Sequence, residues 1–193
     1  MAMQGEPAPA PEHPPPSSAS LLEDAYRTTG SAVLGYALRR TASREDALDV
    51  VAETFATAWR RRDDVPLDAD EIRPWLFGIA RRCLANTARG HRRAARLGER
   101  LAEAFGDAGA CIPDPAGSHG EDGRLHEALG RLTPDDRELV TLIAWESLTP
   151  AEAAQVLGIP AGTARVRLHR ARTRLRAALA TPDRDQEALR DDV

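Results

Sequence analysis

The segment Thr149–Leu179, TPAEAAQVLGIPAGTARVRLHRARTRLRAAL, limits what this chain can become more than any other stretch. Thr149, Pro150 and Glu152 supply a helix N-cap, a proline at the first helical position and an acid at capping-box spacing. Gly158 closes that short helix and Pro160 opens a longer one. A short helix, a tight turn and a longer helix make helix-turn-helix spacing. From Pro160 to Ala180 the chain carries six Arg, one His and no acid, although its overall net charge is −4. A solvated helix face normally mixes signs for i,i+4 support. An acid-free one is suited to the phosphates and base edges of DNA or RNA.

In helix-turn-helix geometry the second helix enters the major groove by its N-terminal end. Gly162 and Thr163 lie there, where backbone N–H groups can meet a phosphate. Arg165, Arg167, His169 and Arg170 follow over the first turns. An arginine can hold guanine O6 and N7 bidentately, at about 1–3 kcal/mol of discrimination per good pair. Arg172, Arg174 and Arg176 are read as phosphate contacts or plain surface. Ala153 and Ala154 allow two helices to approach closely, with Val156, Leu157, Ile159, Val166 and Leu168 as the expected core between them.

Upstream, residues 1–20 are rich in Pro, Ala and Ser and read as a disordered tail. Residues 21–100 carry three helical patterns. The first runs from Leu21 to about Arg40. The second opens at Ser43, with Asp46 three residues later, and its apolar stripe is Leu48, Val51, Phe55, Ala58 and Trp59. The third spans Pro74 to Arg93, with Trp75, Leu76, Ile79, Ala80, Cys83 and Leu84 as its buried side. Its far end is basic. Residues 101–123 hold five acids, five Gly and two Pro but no Arg, which is linker composition. Residues 124–180 form a second helical unit, in which Thr133-Pro134 repeats the cap pattern of Thr149-Pro150. Residues 181–193 are an acidic tail. No stretch alternates like a strand, and aromatics are only 4% of the chain. The expected fold is all-α: two small helical domains joined by a flexible linker.

Asp49 and Glu53 stand at i,i+4, a mildly unfavourable pairing in an isolated helix. They read either as tolerated surface acids or as an acidic face for a basic partner. Asp135 and Asp136 sit in a helix's first turn, where the macrodipole accounts for them. Cys83 falls in an apolar pattern and reads as a buried thiol. Two cysteines make no disulfide framework, and no CxxC or HxxxH spacing suggests a metal site. There is no Walker loop, GxSxG or HExxH, so neither an enzyme nor a cofactor is expected. No leader pattern and no run near the ~20 apolar residues of a membrane span is present, so a soluble, cytoplasmic location is expected.

Three stretches, DALDVVAETFATAW (46–59), RPWLFGIARRCLANTARGHRR (73–93) and residues 128–179, together resemble bacterial RNA polymerase sigma factors of the extracytoplasmic-function class. The resemblance covers residues 21–93 and 124–180 in the family's order. It implies that the first domain is sigma region two. Its Asp49–Glu53 face would dock on the coiled coil of the polymerase β′ subunit. Arg81, Arg82, Asn86, Arg89, Arg92 and Arg93 would lie near the minus-ten element, and the loop 63–71 would help hold a flipped base. The second domain would be region four, with Thr163, Arg165, Arg167, His169 and Arg170 at the minus-thirty-five element and a contact to the β flap. The linker would thread through the polymerase. An anti-sigma factor is a further partner common in the class. The family often has Gln at the position of Ala52, an aromatic at Val65, Asn at Arg82 and a small polar residue at Val166. An autonomous helix-turn-helix regulator, tight on duplex DNA without polymerase, is the competing reading.

Overall fold

The computed structural model describes residues 17–105 and 121–180. These form seven α-helices and one short 3₁₀ turn, with no strand among the described residues. The helices are α1 (Ser18–Leu38), α2 (Arg44–Arg60), α3 (Ala69–Phe105), α4 (Glu121–Gly130), α5 (Pro134–Ala144), α6 (Pro150–Leu157) and α7 (Ala161–Ala180). The all-helical expectation holds. Most of the proline-rich tail, the middle of the expected linker (with Cys111 and His119) and the acidic tail lie outside the described residues.

Capping sets most of the helix starts. Ser17 accepts from the Ser20 amide, so α1 begins inside the stretch read as tail. Ser43 accepts from the Asp46 amide at 3.0 Å. The Asp46 carboxylate instead stands 3.5 Å from His91 on α3, so only half of the expected box is used. Thr149 and Glu152 form the full reciprocal box. Helix α3 starts five residues before the expected Pro74 and runs twelve beyond Arg93. Pro74 is tolerated because it lies in the second turn, where its missing N–H leaves open a carbonyl close to the helix end.

The first lobe packs α1, α2 and α3 around Leu22, Ala25, Ala47, Val50, Ile72, Leu76, Ile79 and Cys83. The buried face of α2 is rotated from the expected one. Ala47, Val50, Thr54 and Ala58 are inside, whereas Leu48 and Trp59 are exposed. The small residues face inward because α1 and α3 both press on α2, and the larger ones are left outside. Cys83 is a buried thiol, as expected, and burial raises its pKa so that it stays protonated.

In the second lobe, α4, α5 and α7 meet around Leu129, Leu132 and Ala171. The largest cluster belongs to neither lobe alone. Val33, Tyr36, Phe77 and Ala80 of the first lobe pack with Leu139, Leu142, Leu148, Ala153, Val156, Ala164 and Leu168 of the second. Tyr36 meets Phe77 edge to face, with ring centroids 5.3 Å apart. The two lobes, expected to hang on a tether, are docked through a continuous core. The sequence marks these faces as apolar but does not say which element covers them.

The turn between α6 and α7 depends on Gly158, which caps α6 at φ 67°. No atom lies within 4 Å of where its Cβ would be. A side chain there would therefore meet only the backbone penalty of the left-handed region, about 1–2 kcal/mol. Gly158→Val is expected to lower the thermal midpoint accordingly, and Gly158→Asn much less. Equal losses for the two variants would locate the cost in packing instead.

Candidate nucleic-acid interface

Helix α7 is held by one buried edge, Ala164, Leu168 and Ala171, which packs on α5 and α6. That edge rotates the intervening positions outward. Thr163, Arg165, His169 and Arg170 are exposed, and none of them is engaged in an ion pair among the described residues. Val166, expected in the core, is 51% exposed on the same face. It lies two residues after the buried Ala164 and two before the buried Leu168, on the far side of the helix. An exposed apolar residue among arginines can meet a thymine methyl.

Arg167 behaves differently from its neighbours. Its Nε donates to Asp136 Oδ1 at 2.7 Å, and its Nη2 stands 3.7 Å from Asp135. Arg174 is 3.5 Å from the other oxygen of Asp136. Asp136 is buried. Burial alone would raise its pKa, but bonds to Arg167 and Thr133 outweigh that and hold it below the ordinary carboxylate range. The acids of α5, assigned from sequence to the macrodipole alone, thus also clamp α7. Arg167 is engaged within its own lobe here, and its charge is largely compensated.

Helix α3 is about 55 Å long at ~1.5 Å per residue, and only its first half is buried in the lobe. Of the expected site residues, Arg82 just before Cys83 and Asn86, Arg89, Arg92 and Arg93 beyond it are exposed. Arg89 donates to the Asn86 side chain, and Arg92 Nε to the Ala88 carbonyl at 3.1 Å. These contacts stay on the helix and leave the cations facing solvent. Arg81 is half-buried, 3.8 Å from Asp135 of the other lobe. The connection before α3 is short: a 3₁₀ turn over Arg62–Asp64, then Val65 to Asp68. Val65 is buried in the first-lobe core. Leu67, which sequence reasoning passed over, is 86% exposed, the highest value among the exposed large apolar residues. The available signal was a lone leucine between a proline and an aspartate.

On α2, Asp49 and Glu53 are both exposed and share a face with the exposed Leu48 and Trp59. Glu53 accepts from Arg60 at 2.6 Å and from Thr57 at 3.1 Å. The Arg60 bond lowers its pKa, so it stays ionised. Asp49 has no ion pair among the described residues. Leu48 and Trp59 thus put exposed apolar area beside an unpaired Asp49 and a paired Glu53, and exposed apolar area of this kind can mark an interaction surface. Sequence reasoning had found the acids but placed Leu48 and Trp59 inside.

No group of three or more His, Cys, Asp or Glu residues among the described residues could hold a metal ion. No described helix is long and apolar enough to cross a membrane.

Comparison with known proteins converges with this geometry. The family model for sigma-70 region 2 matches residues 25–94, and that for sigma-70 region 4 matches residues 122–175. The chain is 33% identical over 168 residues to the RNA polymerase sigma-E factor of Streptomyces avermitilis, covering 87% of this chain and 90% of that one. It is 29% identical over 163 residues to the ECF RNA polymerase sigma factor SigL of Mycobacterium tuberculosis, covering 84% and 91%. Among solved structures, the sigma factor RpoE of Bartonella quintana, in complex with the anti-sigma factor NepR, matches with a TM-score of 0.59 and 25% identity over 83% of this chain and 98% of that one. With exposed basic residues on helices of both lobes and similarity running through both regions, the chain belongs to the sigma-70 family of RNA polymerase sigma factors, in its extracytoplasmic-function class.

Proposed function

We propose that this sigma factor divides its work among the surfaces as follows. The α2 face of Asp49 and Glu53, edged by Leu48 and Trp59, docks on the β′ coiled coil of core polymerase. Arg82, Asn86, Arg89, Arg92 and Arg93 on the outer half of α3 follow the backbone at the minus-ten element, with Arg81 joining them once freed from Asp135. Thr163, Arg165, His169 and Arg170 face the minus-thirty-five element, with Val166 among them. Arg167 acts as a positioning residue that locks α7 onto α5. Leu67, rather than Val65, is the apolar tip next to the unstacked base, since a wedge must reach out of the protein to enter a base step.

The observation that carries this reading is the exposed, acid-free face of Arg165, His169 and Arg170 on the N-terminal half of α7, set by the Thr149–Glu152 box and the Gly158 turn. Around it, the described surfaces supply position and charge, and the sigma reading makes the chain an initiation factor rather than an enzyme, with bond formation belonging to the polymerase. It acts in the cytoplasm, where polymerase and promoter are. A regulatory anti-sigma partner fits the same picture, since the related RpoE was solved with one.

Footprinting on a promoter tests the division of labour. With core polymerase present, both elements should be protected together, and protection at the upstream element alone should vanish in Arg165→Ala/Arg170→Ala. Strong protection of duplex DNA by the chain without polymerase would favour an autonomous regulator.

A further inference from the structure

We propose that the proline-rich segment Pro7–Pro11 folds back into an aromatic groove between α1 and α2, where it covers Trp59 and competes with polymerase for that edge of the docking face. The inference rests on the docking role proposed above for α2 and adds a competitor supplied by the same chain.

Ala19, Leu22, Glu23 and Tyr26 of α1, with Phe55 and Trp59 of α2, line a cleft of about 400 Å³. Leu22 is buried, whereas Tyr26 and Trp59 are 58% and 53% exposed. Tyr26 stands edge-on to Phe55, with ring centroids 4.9 Å apart. Glu23 is the one charged residue of the lining, and Arg27 pairs with it. The groove therefore suits an uncharged ligand. The Tyr26 hydroxyl and the Trp59 indole N–H make no hydrogen bond among the described residues. Aromatic walls of this kind hold polyproline II segments. Proline rings pack on the aromatic faces. The segment's carbonyls, which have no internal partners in that conformation, can accept from the hydroxyl and the indole.

The sequence supplies such a segment beside the groove. Residues 1–16 lie outside the described residues and hold six of the chain's 14 prolines: Pro7, Pro9, Pro11, Pro14, Pro15 and Pro16. They join the described chain at Ser17, which caps α1, and Ala19 of the groove stands in the first turn of that helix. From Ala19 to Tyr26 the groove follows α1 for roughly 10 Å at ~1.5 Å per residue. Pro7–Pro11 covers about 15 Å at ~3.1 Å per residue in the polyproline II conformation, and Glu12 to Pro16 provide the return. A tether this short holds the segment at an effective concentration on the order of millimolar. A contact too weak to hold a separate peptide is then occupied much of the time.

The experiment uses the isotope-labelled full chain and a tail variant, Pro7→Gly/Pro9→Gly/Pro11→Gly, which keeps length and charge. The indole N–H resonance of Trp59, assigned by its loss in Trp59→Phe, should move between the wild type and the tail variant, while those of Trp75 and Trp145 stay in place. In a Tyr26→Ala background the same tail substitutions should leave Trp59 unmoved. The tail variant should also bind purified core polymerase about threefold more tightly, because a docking face covered two-thirds of the time weakens apparent affinity by that factor. The inference is overturned if the Trp59 resonance coincides in wild type and tail variant, if its shift persists in Tyr26→Ala, or if core binding is unchanged. A shift that grows with protein concentration would assign the groove to the tail of a second copy and overturn the intramolecular contact. Should the wild type itself fail to bind core polymerase, the sigma reading fails, while the Trp59 resonance still decides whether the segment occupies the groove.

Discussion

Asp49→Arg with Glu53→Arg is expected to weaken association with core polymerase about a hundredfold or more. Two exposed carboxylates become two cations on the face proposed to meet a basic partner, and like charges brought together at an interface cost several kcal/mol, while a hundredfold corresponds to about 2.7 kcal/mol. The helix itself should tolerate the change. Both positions are exposed, and the Glu53–Arg60 pair that is lost is a solvent-screened surface pair that contributes little to stability. Co-purification or biolayer binding of core polymerase, with a thermal melt as the control, checks both parts. A variant that melts normally and still binds core as well as the wild type would remove α2 from the docking surface. Leu48→Ala/Trp59→Ala should fall in the same direction if apolar area flanks the charges as argued.

Arg165→Ala with Arg170→Ala is expected to reduce transcription from a cognate promoter at least thirtyfold while leaving core binding unchanged. Each bidentate arginine–guanine pair contributes about 1–3 kcal/mol of discrimination, and neither side chain is committed to an ion pair among the described residues. Arg167→Ala should behave differently. Its partner Asp136 is buried, so removing Arg167 leaves that carboxylate only the longer 3.5 Å contact to Arg174 and should destabilise the second lobe. Run-off transcription separates the cases only when paired with a melt. The double variant should lose activity at normal stability, and Arg167→Ala should lose stability. Equal melts for all three proteins would return Arg167 to the reading face.

The features legible from sequence are those written locally. The Thr149–Glu152 box, the Gly158 turn and the basic run of α7 each rest on residues within four positions of one another. The structure forms each of them where it was expected. The end of α3 was less legible, because its exposed basic face continues past Arg93 with no stop residue before Gly98. The inner face of α2 was misread because periodicity finds a stripe but not its phase. Alanines and a threonine went inside, and Leu48 and Trp59 stayed out. Least visible were contacts between residues far apart in sequence, 31 positions for Arg167–Asp136 and 107 for Arg39–Glu146. Nothing near Arg39 announces Glu146, and nothing near Arg167 singles out Asp136. Asp136 had a bland local explanation and Glu146 drew none, and only the fold brings each to its arginine. The same limit hid the docking of the lobes, since Val33, Tyr36 and Phe77 satisfy a core pattern whichever element covers them.

At the centre of the account is a pair of helical lobes that gain promoter specificity only through RNA polymerase. Run-off transcription with purified core polymerase on a library of genomic fragments, with and without the chain, tests that claim most directly. The account predicts new transcripts from a restricted set of start sites that share upstream elements and appear only when the chain is added. An unchanged transcript pattern, with core polymerase shown active by a second sigma factor, would contradict it.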